Sequence, residues 1–136
     1  MTEKAIFIKM LNLLLFCCVG ILNGCVSQNE QTVLLAKERA QQINLNLPVK
    51  IDGYTMISAQ NSGSFIKLII VNNTSERGKM NPQAFLDKFQ KNICTDEGLK
   101  EFMNDGINYI LIVKDMRTGF HHEKKLNPIE CNYIKK

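Results

Sequence analysis

An uncharged apolar run from Met10 to Ile21 decides how much of this chain is left to fold. Lys4 and Lys9 lead into it, and Leu22-Asn23-Gly24-Cys25 closes it. A cationic start, a core of about a dozen apolar residues and small residues at the end make up a secretory signal peptide. The run is too short to cross roughly 30 Å of hydrocarbon as a helix, which takes about 20 residues. Residues 1–24 are therefore read as a removable signal. Taking 24 residues from 136 leaves 112, enough for one domain and not two. A domain of that size buries only somewhat over roughly 60% of its unfolded surface, so an extra staple would help it.

The cysteine after Leu-x-Gly narrows the class of signal. Leu22, Gly24 and Cys25 resemble the lipobox of bacterial lipoproteins. That resemblance implies that the Cys25 thiol takes a diacylglycerol, that the chain is cut before it, and that the new amine is acylated. An ordinary signal peptide or an anchor that is never removed is the plainer alternative. Val26 follows the cysteine where an Asp would be the usual signal for retention in the inner membrane. The resemblance thus implies the outer membrane as destination, with the lipid in its inner leaflet and the domain facing the periplasm. Residues 25–31 then read as a lipidated tether and 32–136 as a single periplasmic domain.

Of five cysteines, Cys17 and Cys18 leave with the signal and Cys25 carries lipid, so Cys94 and Cys131 remain. Two thiols in an oxidising compartment are most simply a disulfide. Metal binding competes poorly, because the pair lacks CxxC spacing. A formal net charge of +4 spread along the chain forms no basic patch, so no nucleic-acid partner is expected.

The hydrophobic spacing predicts a mixed domain. Val33, Ala36, Ala40 and Ile43 line one face of a helix that Thr32 can cap and Pro48 must end. Residues 54–60 and 65–71 are β-prone and flank Asn61-Ser62-Gly63-Ser64, which predicts a hairpin. A polar loop, 72–79, follows. Asn81-Pro82 opens a second helix with Phe85, Phe89 and Ile93 on one side, and Thr95-Asp96-Glu97 starts a shorter third. Residues 107–114 form the strongest strand, and Met116-Arg117-Thr118-Gly119 turns it into a polar strand, 120–126, suited to an edge. The expected order is helix, hairpin, helix, helix, hairpin and a tail stapled back to Cys94. This is an α+β fold, an antiparallel sheet of four to five strands with helices packed on one face and one disulfide.

Catalytic chemistry is not legible. His121 and His122 are neighbours on a strand and point to opposite faces, which makes them poor ligands for one metal. Asp96 and Glu97 are explained by a helix first turn. No Gly-x-Ser-x-Gly elbow and no phosphate-binding glycine loop occurs. The reading is a non-enzyme without cofactor or small-molecule substrate.

Several segments together resemble a known family. They are Leu34-Leu35-Ala36-Lys37-Glu38-Arg39-Ala40-Gln41, Asn46-Leu47-Pro48-Val49-Lys50, Gly53-Tyr54-Thr55, Gly106-Ile107-Asn108-Tyr109 and Arg117-Thr118-Gly119. With the lipobox and the Cys94/Cys131 pair, their collinear order is similar to the beta-type pilot lipoproteins of type II secretion systems in enterobacteria and vibrios. The resemblance implies a domain that binds the C-terminal segment of secretin subunits and directs them to the outer membrane for assembly. Leu34 and Leu35, off the apolar face of the first helix, are candidate partner contacts, with packing near the helix end as the plainer reading. A small periplasmic lipoprotein that inhibits an envelope or host enzyme is the alternative function.

Overall fold

The computed structural model describes residues 27–72, 80–116 and 118–133. The signal segment, Cys25 and residues 73–79 of the expected polar loop lie outside the described residues.

The first helix, α1 (Gln28–Asn44), begins one turn earlier than Thr32. Ser27 is its cap, its Oγ accepting from the Glu30 amide. Thr32 instead sits inside the helix and donates its hydroxyl to the Gln28 carbonyl at 3.0 Å. Residues 28–31, expected in the tether, are thus helical, because the polar run Gln28-Asn29-Glu30-Gln31 contains no helix breaker. Ala36 and Ala40 are buried, and their small side chains let α1 lie close on the sheet. At its far end the Asn44 amide grips Ala59 in both directions, donating to its carbonyl at 2.6 Å and accepting from its N–H at 2.8 Å.

A short strand, β1 (Val49–Ile51), was not read from the sequence. It turns through Asp52 and Gly53, both at positive φ, and pairs with β2 (Tyr54–Ser62). The predicted hairpin joins β2 to β3 (Phe65–Asn72). Then come α2 (Pro82–Thr95), capped by Asn81 with Pro82 in the first turn, and α3 (Glu97–Asn104), capped by Asp96. The chain closes with β4 (Asn108–Asp115), β5 (His121–Leu126) and α4 (Pro128–Tyr133).

The five strands lie in sequence order, β1-β2-β3-β4-β5. The sheet is mixed rather than wholly antiparallel, because β3 and β4 run parallel. The cause is topological. Two helices intervene between them and carry the chain back to the end where β3 began, so the Asn108 amide meets the Ser64 carbonyl at 3.0 Å. Ile66, Leu68 and Ile70 of β3 and Tyr109, Leu111 and Val113 of β4 face one core with Phe85, Leu86 and Met103 from the helices. The expected disulfide is present, Cys94 to Cys131, with Cα atoms 5.2 Å apart, and it ties α2 to α4.

Candidate partner-binding groove

Along α1, Leu35, Arg39 and Gln42 are spaced four and three residues apart and share one line of the helix, and Asn46, four residues further on, follows just past its end. By polarity this line reads as solvated surface. The fold makes it a wall. The chain leaves α1 through Leu47, and β1 brings Val49 alongside, with Met56 of β2 as floor. Arg39, Gln42, Ile43, Asn46, Leu47, Val49 and Met56 enclose a hollow of about 410 Å³. Ile43 and Leu47 are half-buried against the core, while Val49 keeps 41% of its surface exposed. Leu45, just outside, is 85% exposed. The result is an open apolar groove with an amide rim.

Arg39 stands at one end. Its guanidinium carbon lies 4.7 Å from the centre of the Phe102 ring on α3, a cation–π arrangement. Its Nη1 donates to Gln42 Oε1 at 3.4 Å. Its Nε is shut away from solvent with no acceptor. The neighbouring Tyr109 hydroxyl is also buried without a partner. Burial pushes the Tyr109 phenol above its ordinary pKa; the nearby Arg39 charge opposes this without reaching hydrogen-bond geometry, and the Asp96 charge adds to it. Asp96 itself is committed as a cap, Oδ1 accepting from the Leu99 amide at 2.9 Å.

The two leucines singled out in the sequence part company. Leu35 lies half-buried against the core and lines a separate hollow with Thr32, Asn104 and Asp105, in line with the groove wall. Leu34, about 100° further round the helix, is 57% exposed and belongs to a shallow apolar depression with Val33 and Lys37. They do not border one surface. Cys25 falls outside the described residues. His121 and His122 are exposed on β5, paired with Lys114 and Val113 of β4. Asp96 and Glu97 serve α3, Glu97 pairing with Lys100 at 2.6 Å. Among the described residues no group of three or more His, Cys, Asp and Glu side chains is placed to hold a metal. Sequence reasoning missed Arg39, because nothing in a polar i, i+4 spacing signals a groove; the signal lies in β1, which the sequence reading also missed.

Comparison with known proteins converges on one family. Residues 28–131 match the family model of the type II secretion system pilotin, S protein. Pilotin AspS 2 of Escherichia coli O78:H11 (strain H10407, ETEC) is 39% identical over 127 residues, 93% of each chain. Lipoprotein YghG of Escherichia coli K12 matches at the same identity and coverage. Among solved structures, the pilotin AspS from Vibrio cholerae superposes with a TM-score of 0.69 at 21% identity, over 76% of this chain and 95% of that one, which speaks for the fold. A chain of the ETEC pilotin–secretin AspS–GspD complex is 33% identical with a TM-score of 0.54, over 79% of this chain and all of that one. An α+β domain of this topology and these relatives have one reading: the chain belongs to the type II secretion system pilotin family.

Proposed function

We propose that this chain is a lipid-anchored pilotin that binds the C-terminal segment of secretin subunits and directs their targeting and assembly in the outer membrane. The observation that carries the proposal is the likeness to the AspS chain of a pilotin–secretin complex, at 33% identity and over that chain's whole length. The domain's own features support it. An open apolar groove on the helical side of the sheet suits an amphipathic segment that is disordered when free and orders on capture. In this reading Cys25 holds the lipid, residues 1–24 are removed, and the domain is a binding module and not an enzyme. Leu35 continues the groove wall towards the start of α1, whereas Leu34 stands outside it. Lipid supplies the address, since each buried CH₂ contributes about 0.8 kcal/mol to membrane binding. Ser27 caps α1 two residues after Cys25, so an anchored domain is held close to the membrane.

Cys25→Ser tests the address. The variant domain should fold as before, while the secretin collects away from the outer membrane on a sucrose gradient. Secretin still reaching the outer membrane with unlipidated protein would overturn the role of the lipid. Calorimetry with a synthetic peptide of the secretin C-terminal segment tests the grip. Because ordering of such a segment costs about 2–5 kcal/mol, the expected affinity is in the micromolar range with a negative heat-capacity change.

A further inference from the structure

The groove holds a charge that the described fold does not neutralise. The ion pairs among the described residues engage Lys88, Lys100 and Lys124, and none engages Arg39. Phe102 covers one face of the guanidinium, Gln42 takes a long hydrogen bond from Nη1, and Nε, closed to solvent near the Tyr109 hydroxyl, makes no hydrogen bond. A charged donor withdrawn from water without a partner is costly, and a low-dielectric setting strengthens whatever acceptor reaches it. Ile43, Leu47, Val49 and Met56 make the setting apolar. Arg39 lines the groove, and its Nη side, engaged only in the long bond to Gln42, offers N–H donors to a carboxylate.

We propose that Arg39 receives the carboxylate of an acidic side chain on an amphipathic helix docked in this groove. The partner segment is then one that pairs an apolar stripe with an Asp or Glu at the Arg39 end. The inference rests on the secretin reading and adds to it the chemistry that selects the segment. A side chain is favoured over a chain terminus on grounds of length. From Arg39 to Asn46 the wall extends only about 10 Å, roughly two helical turns. Leu35 continues the wall past Arg39 towards the start of α1, so a helix docked along it runs on beyond Arg39 and meets it with a residue inside the segment. The amides of Gln42 and Asn46 line the wall between and tolerate the polar edge of such a helix.

The test uses a peptide of the GspD C-terminal segment, a set in which each acidic residue is replaced in turn by lysine, and a C-terminally amidated form. Arg39→Gln should weaken binding of the parent peptide roughly tenfold to a hundredfold. One lysine-bearing peptide should bind the unaltered protein as weakly and regain affinity against Arg39→Glu. On titrating the unaltered protein, the Arg39 Nε–H resonance should shift, a readout that needs no variant. If Arg39→Gln keeps full affinity, the inference falls and the secretin reading stands. If only the amidated peptide loses affinity, the carboxylate is the chain terminus and the inference falls as stated. If the unaltered protein binds no secretin peptide, both fall together. A thermal melt of each variant establishes that weakening does not come from unfolding.

Discussion

The two edges of this sheet are finished in opposite ways. At β5 the edge is polar and closed off: α4 packs back on it, the Cys94–Cys131 disulfide ties α4 to α2, and Lys124 reaches Asp87 of α2 at 2.6 Å. At β1 the edge is three residues long, Val49 is half-exposed, and the neighbouring groove leaves apolar surface in water. One side spends its contacts on itself. The other leaves them open, which is where a partner can add more than the fold already has. Loosely held elements of low local stability are the usual source of binding surfaces. In a domain this small, a covalent staple at one edge allows the opposite edge to remain unfinished.

Removing the staple should give the largest effect. With a sequence separation of 37 between the cysteines, a Cys94→Ala/Cys131→Ala protein should lose about 4 kcal/mol of unfolding free energy by the loop-entropy relation. Urea denaturation measures it. A loss below about 1 kcal/mol would mean that the β5 side is closed by packing alone, and the contrast between the edges would lose its cause.

A smaller effect is expected from acid. The hydrogen bond and charge of Lys124 hold the Asp87 carboxyl below its ordinary pKa, against a lesser desolvation. A carboxylate whose folded pKa is depressed stabilises above its unfolded pKa, and the contribution disappears as pH falls through the folded value. Stability should therefore be greater at neutral pH than in strong acid by a contribution that Asp87→Asn abolishes. Since both side chains are partly exposed, screening keeps it under about 1 kcal/mol. Chemical denaturation of both proteins at several pH values measures the difference. Identical pH profiles would remove this ion pair from the account of the closed edge.

The smallest change in stability should come from the open edge. Val49→Lys places a charge at a half-exposed position on an edge strand, where lysine is well tolerated, so the unfolding free energy should stay within about 0.5 kcal/mol. Binding of the secretin peptide should weaken all the same. A drop of about 2 kcal/mol in stability would show that Val49 is core, and the β1 side would then be as closed as the other.

Local chemistry carried much of this structure into the sequence. Asn81-Pro82 marked the start of α2 because a cap and a donor-free residue suit the first turn. The two β-prone runs around Asn61 to Ser64 marked the β2–β3 hairpin, and the two remaining cysteines marked the bridge. Each of these is settled by a residue and its near neighbours. The start of α1 was misplaced because Ser27 and Thr32 are both acceptable caps, and only the continuation through Gln28 chooses between them.

What tertiary structure alone decided is direction and juxtaposition. Nothing in β3 or β4 states that they run parallel; that follows from where α2 and α3 return the chain. Val49-Lys50-Ile51 is too short for a periodic signal and becomes a strand because β2 offers it a pairing edge. The groove exists because that strand carries Val49 across from Arg39 and Asn46, residues whose spacing by itself reads as plain solvated helix. A sequence specifies short-range conformation through sterics and capping, over a few residues. A binding surface is assembled from residues distant in the chain, and only packing sets which of them meet.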